Sequence, residues 1–370
     1  MKAKVILATI LILAASCVKN EVREVSIHGD GQILYNPAPL RSMTTKANVQ
    51  MPPFPTTSTF GSCAWYLPGD NKWDDHHAAA ATATVVPTLY IPTSEISYDE
   101  ASKVWRNKGK TYYWPMNGSL TFISWAPADL LDKVDASNNK LNSVTREEGF
   151  KITNWTMTNT PGYGIVVEPT PKGSVATTDP KVDILLSYTK DCTRNTAKGT
   201  VPIVFSHLLC KVKVEARLAN DKVGEKVIES VTLTNIYTKS DYVAGKWTNQ
   251  SECQDYVYSQ TGGTSMTVAY PAKKVIFPET MFLPQYLSKD AIRTDRPKIS
   301  IRLKGDTTPI EGYLYNEKIL NSLSVWNQGK SITYVITIGD ETVDIDFTAS
   351  VGGWGDGNSQ DGSSHTVTVQ

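Results

Sequence analysis

The chain has 370 residues, enough for two domains with ample buried core. Lys plus Arg and Asp plus Glu each number 37, so no net field draws the protein to nucleic acid or to an anionic membrane surface. Its five cysteines include no Cys-x-x-Cys spacing, which removes the usual support for a zinc site or thioredoxin-like chemistry.

In chain order, Lys2 and Lys4 precede an uncharged apolar run from Val5 to Ala15. That run is about half of the roughly 20 apolar residues needed to span a bilayer, and it fits a secretory signal peptide. Ala14, Ala15 and Ser16 stand just before Cys17, an arrangement that resembles the lipobox of bacterial lipoproteins and makes Cys17 the expected lipidated residue. Residues 1–17 are thus read as a lipoprotein signal peptide. In an exported protein the remaining Cys63, Cys192, Cys210 and Cys253 permit disulfides in three connectivities, which spacing alone does not separate. Between Val18 and Met51 lies one short strand-like piece, "GQILYN", followed by "PAPLRSMTTKA", which reads as exposed and extended.

The body is mostly β. Period-two alternation runs through Val182, Ile184, Leu186 and Tyr188. In "VFSHLLCKVKVEA" it puts Val204, Leu208, Cys210, Val212, Val214 and Ala216 on one face, with Phe205, His207, Lys211 and Lys213 on the other. The pattern recurs in Ile299, Ile301 and Leu303, in Ile332 to Ile338, and in Val343 to Val351. Helical signals are short: a capping box from Ser97 to Glu100, and a proline before "ADLLDKV". A polar stretch from Thr238 to Gly263, without an apolar period, places a domain boundary near residue 250. The fold class expected is all-β, with antiparallel sandwiches and short helices in loops.

Catalytic readings find little support. The four consecutive polar residues of "WDDHH" (Trp73 to His77) cannot all face one ion from an extended chain, so a solvated loop is expected there. His207 sits within a strand, where packing or a backbone hydrogen bond is expected of it rather than proton transfer. In "GDGNSQDG" Asp361 comes one place too late for a calcium loop, so a linker is expected. No enzyme activity, cofactor or metal is expected.

Several pieces together resemble the fimbrillin family of Bacteroides-type bacteria, the subunits of type V pili. They are the lipobox ending at Cys17, "DILLSYT" followed by "VPIVFSHLLCKVKVEA", "FLPQYL", and "WNQGKSITYVITI" followed by "VDIDFTASVGGW". The Trp-Asn-Gln-Gly-Lys hairpin is stretched here by two residues relative to the family pattern. The resemblance implies two tandem transthyretin-like β-sandwiches, read as residues 42–250 and 251–370, export as an outer-membrane lipoprotein, and assembly with other pilus subunits by strand exchange. In the family, a subunit's own first strand fills a groove until an arginine-specific protease removes it. Residues 18–41 are the corresponding propeptide, "GQILYN" its strand, and the bond between Arg41 and Ser42 the expected cut. Arg23 competes, but a cut there would leave "GQILYN" attached. Beyond the linker, Thr366, Val367, Thr368 and Val369 form an alternating β-prone tail, a candidate donor strand for a neighbouring subunit. Its alternative is to fold back on its own sheet edge. The competing function is a monomeric surface lipoprotein that binds glycans through exposed Trp and Tyr, on a host or bacterial surface; a removable strand in a groove would favour the pilus subunit.

Overall fold

The structure is a computed structural model and describes residues 31–38, 54–135, 137–157, 183–221, 223–259, 266–290, 292–315, 323–339, 345–353 and 365–369. It is all-β. The first strands are β1 (Leu34–Pro37), β2 (Phe60–Leu67), β3 (Thr88–Asp99), β4 (Val104–Asn107), β5 (Ser119–Ala126), β6 (Asn142–Thr145), β7 (Gly149–Thr156), β8 (Leu185–Cys192), β9 (Thr200–Ile203) and β10 (Ser206–His207). There follow β11 (Cys210–Leu218), β12 (Lys226–Val243), β13 (Lys246–Ser259), β14 (Met266–Val268), β15 (Lys274–Phe282) and β16 (Gln285–Tyr286). The last are β17 (Lys298–Leu303), β18 (Ile310–Tyr313), β19 (Val325–Trp326), β20 (Lys330–Ile338), β21 (Ile345–Gly353) and β22 (His365–Val369). A one-turn helix α1 (Trp73–His76) and a 3-10 turn (Ala128–Asp132) interrupt them.

An eight-stranded sheet runs β10-β8-β5-β2-β3-β4-β1-β9. A second sheet runs β15-β11-β20-β21-β22, and a third runs β18-β17-β12-β7-β6 with β13 and β14 also paired to β12. The second and third sheets pack face to face as a sandwich. Val212, Val214 and Ala216 of β11 and Ile332, Tyr334 and Ile336 of β20 meet Ile228, Val231 and Leu233 of β12 and Ile299 and Ile301 of β17. The eight-stranded sheet buries both of its faces. Phe60, Ala64, Leu120 and Phe122 line one side, while Cys63, Trp65, Ile123 and Trp125 pack from the other against Phe150, Ile152 and Trp155. Both β2 and β5 are therefore apolar throughout, as buried strands are.

Several expectations from the sequence are corrected. Residue 250 lies inside β13, and pairing is continuous around it: β12 joins β13 on one side and β7 and β17 on the other. The polar stretch that reads as a domain boundary holds a long strand paired to β12, mostly polar and part-exposed, with Tyr256 buried and Trp247 and Tyr258 packed against the cores. Pairing passes from the first sheet to the second at residues 207–210, between β10 and β11. For that reason one period does not run through "VFSHLLCKVKVEA": Phe205 and His207 are buried and Val204 is exposed, while the alternation expected from Cys210 onward holds. The capping box at Ser97 to Glu100 is no helix. It is the end of β3 and the start of the β3–β4 turn, which Asp99 closes by accepting from Ala101 N at 2.9 Å and from Ser102 Oγ at 2.9 Å. A short polar side chain satisfies the backbone of a turn as readily as that of a helix start.

One contact makes the packing of the eight-stranded sheet testable. Trp125 lies over the backbone of Gly61, where an added Cβ would stand 2.2 Å from Trp125 Cε2. Gly61→Ala is expected to destabilise the protein by about 1–3 kcal/mol through overpacking, read from the denaturant midpoint. An unchanged midpoint would contradict this packing of β2 against Trp125.

Candidate functional site: the groove filled by the first strand

The expected strand "GQILYN" is present as β1, inside the eight-stranded sheet rather than at its rim. On one side it runs parallel to β9, in register from Leu34 with Thr200 to Pro37 with Ile203. On the other it is antiparallel to β4, pairing Tyr35 with Trp105. Backbone bonds tie its ends: Ile33 N to Tyr112 O at 2.8 Å, Trp114 N to Gly31 O at 2.9 Å and Ala38 N to Ile203 O at 2.7 Å. Ile33, Leu34 and Tyr35 are buried, and Ile33 and Tyr35 join the core of Phe60, Trp105 and Phe122 on one face of the sheet.

Among the described residues the far edge of β9 carries no strand, yet β8 side chains reach it. Thr189 Oγ1 donates to Pro202 O at 2.6 Å, and Ser187 Oγ accepts from Val204 N at 3.2 Å. In the described sheet β9 thus has β1 as its only strand partner, with two hydroxyls of β8 on its other side.

Cys17, Arg41, Ser42 and the linker "GDGNSQDG" lie outside the described residues. The tail Thr366 to Val369 belongs to β22, which pairs antiparallel with β21 of its own chain, Val367 opposite Phe347 and Val369 opposite Ile345. It forms one rim of the second sheet.

The remaining candidates have structural partners. Trp73 of "WDDHH" starts α1 and is buried, Asp74 pairs with Lys190 at 2.6 Å, and His77 stacks on the Trp73 ring with centroids 5.6 Å apart. Among the described residues no group of three or more His, Cys, Asp or Glu could hold a metal ion. His207 meets a side chain rather than a backbone group: its Nδ1 bonds Asp183 Oδ2, both residues being 2% exposed. This contact joins the "DILLSYT" and "FSHLL" pieces where the chain leaves the first sheet. A second polar cluster surrounds Gln285 of "FLPQYL", whose Oε1 accepts from Tyr237 N at 3.0 Å and from the buried Arg293 at 2.6 Å. Trp326 Nε1 donates to Tyr334 OH at 3.0 Å across the "WNQGKSITY" hairpin. Each motif was visible in the sequence; its partner was not. The available signal was a polar residue embedded in an apolar strand, which announces a buried partner without naming it.

A fimbrillin-like family model matches residues 70–354. The chain belongs to the fimbrillin-like family. Membership places it among structural, surface-located subunits of fimbriae rather than enzymes. No curated protein matches it. Among solved structures it is similar to a fimbrial protein from Bacteroides vulgatus, with 18% identity and a TM-score of 0.55, covering 80% of this chain and 92% of that one. It is also similar to the tip fimbrial protein Mfa3 from Porphyromonas gingivalis, with 10% identity and a TM-score of 0.42, covering 87% of this chain and 99% of that one.

The four described cysteines of this fimbrillin-like chain are all free; Cys63, Cys192 and Cys210 are buried and Cys253 is partly exposed. Burial pushes the thiols of Cys63 and Cys210 far up, and that of Cys192 to about 11. Burial also raises Cys253, against the lowering influence of Arg293 beside it. Since thiolate and access set reactivity, iodoacetamide at neutral pH is expected to label Cys253 first and the other three only on unfolding. Equal labelling of Cys63 or Cys210 in the folded protein, followed by peptide mass, would contradict this arrangement.

Proposed function

We propose that this protein is a type V pilus subunit that is anchored through Cys17 and made competent for assembly by losing its first strand. In this reading, residues 18–41 are a propeptide, cleavage between Arg41 and Ser42 frees β1, and the vacated groove accepts a strand from another subunit. The observation that carries it is the position of β1: an N-terminal segment, close in sequence to Arg41, fills an interior place in a sheet whose other strands all come later in the chain. A groove of unpaired backbone and apolar pockets is the ordinary receptor for an added strand, with main-chain bonds supplying affinity and alternate side chains supplying register.

The tail is the donor in this proposal. It holds to its own sheet by β21 alone. Val367 and Val369 contribute at most about 1.5–3 kcal/mol each if fully buried, so a polymer contact requires the groove's backbone bonds as well. A glycan-binding monomer is the weaker reading. Leu89 of β3 and Tyr113 and Met116 between β4 and β5 are exposed, but β1 occupies a groove in the eight-stranded sheet, which favours exchange.

Low-dose trypsin is expected to trim the purified precursor to a stable product beginning at Ser42, and the trimmed protein to form fibres that a chain lacking residues 363–370 does not form. Resistance at Arg41 while other loops are cut would remove the processing site. Fibres from the shortened chain would remove the tail from the donor role.

A further inference from the structure

The groove has apolar walls and a polar floor. The ring of Tyr35 stands between Phe60 and Phe122, with centroids 6.0 and 5.9 Å away and nearly perpendicular planes. At the far end of the ring the phenol donates to Asn107 Oδ1 at 3.1 Å. Ser62 lies beside the phenol, and its hydroxyl meets that of Ser124 at 2.9 Å. Asn107, Ser62 and Ser124 are all buried, and they come from β4, β2 and β5 of the sheet that remains if β1 leaves. The other end of the Asn107 amide, Nδ2, is buried without a hydrogen-bond partner among the described residues. One end of that amide meets the phenol and the other meets nothing, so the phenol is the group that keeps this side chain paired.

We propose that Asn107, Ser62 and Ser124 form a specificity pocket, and that the groove selects a strand from another polypeptide that carries a tyrosine at the Tyr35 register. The inference rests on the strand-exchange reading above and adds the identity of the occupant. Phenylalanine would fill the ring volume but leave both ends of the Asn107 amide buried and unpaired. Valine or threonine would stop a whole ring short of the floor, leaving an apolar void over polar groups. The tail "SSHTVTVQ" holds no tyrosine. The tail of a second copy therefore enters this groove more weakly than a tyrosine-bearing strand of a chemically different subunit, which is the preferred donor. Such a site resembles enzyme pockets built to bond a hydroxyl: they reject the analogue lacking it because their own polar groups are left unpaired.

The test uses the full chain, nicked by trypsin after Arg41, and challenged with labelled peptides spanning residues 31–38 with tyrosine or phenylalanine at position 35, and with the tail peptide. The tyrosine peptide is expected to replace the resident strand and bind roughly 5- to 150-fold more tightly than the phenylalanine peptide, with the tail peptide weaker still. Equal binding of the tyrosine and phenylalanine peptides, or tighter binding of the tail, would overturn the pocket while leaving exchange intact. Failure of every peptide to enter would instead count against exchange itself. The pocket is then decided in the intact chain by a double-mutant cycle. Tyr35→Phe should lower the folding equilibrium constant by a similar factor. Asn107→Leu should be harmful on its own, yet restore part of that loss when combined with Tyr35→Phe. Strictly additive effects would overturn the pocket.

Discussion

A backbone amide or carbonyl taken out of water must find a partner, and in the eight-stranded sheet that requirement falls on the residues from Gly31 to Ala38. Their N–H and C=O groups join β4 on one side to β9 on the other. Without them β4 becomes an edge, and β9 keeps only the Ser187 and Thr189 hydroxyls of β8. The core of Phe60, Phe122, Trp105 and Phe205 would then open along one side, where Ile33 and Tyr35 now close it. The first strand is thus a structural member of a sheet to which it is joined by little local chain.

That position is compatible with removal because the forces on β1 are balanced. Burying Ile33, Leu34 and the Tyr35 ring contributes about 5–9 kcal/mol in total. Ordering the five residues from Ile33 to Pro37 costs about 5–10 kcal/mol in backbone entropy. Hydrogen bonds at the ends, worth about 1 kcal/mol each, supply the margin. While the strand is covalently attached, closing the groove is an intramolecular step, and cutting the chain makes it bimolecular. Under the proposed exchange, the groove that is secure in the intact chain would then be open to competition. The sandwich formed by the second and third sheets takes no part in this balance, since its core is built from strands beginning at β11.

Much of this architecture was legible in the sequence wherever a strand buries one face. Ile332, Tyr334, Ile336 and Ile338 alternate because β20 covers a single core, and Ile299 and Ile301 do the same on β17. The strand character of "GQILYN" was legible for a similar reason. Its partners were not, because Thr200 to Ile203 lie far along the chain and parallel pairing leaves no local turn signal. β2 and β5 carry no alternation, being buried on both faces. β13 escaped notice because it buries only Tyr256 fully and half-buries Trp247 and Tyr258, and its mostly polar side chains carry no apolar period. In the groove, Asn107 and Ser62 look like ordinary surface-prone residues, and only the fold turns them inward beneath Tyr35.

The central claim is that β1 is held in the sheet as a unit separable from the rest of the fold. Native-state hydrogen exchange of the intact chain tests it most directly, since local opening and global unfolding have different free energies. The amides of Ile33 and Ala38, bonded to Tyr112 O and Ile203 O, should exchange together through an opening well below the global unfolding free energy. The amides of β2 and β5 should exchange only on global unfolding. If Ile33 and Ala38 instead match β2 and β5 in protection, β1 is an inseparable part of the core, and the account of a strand poised for replacement is contradicted.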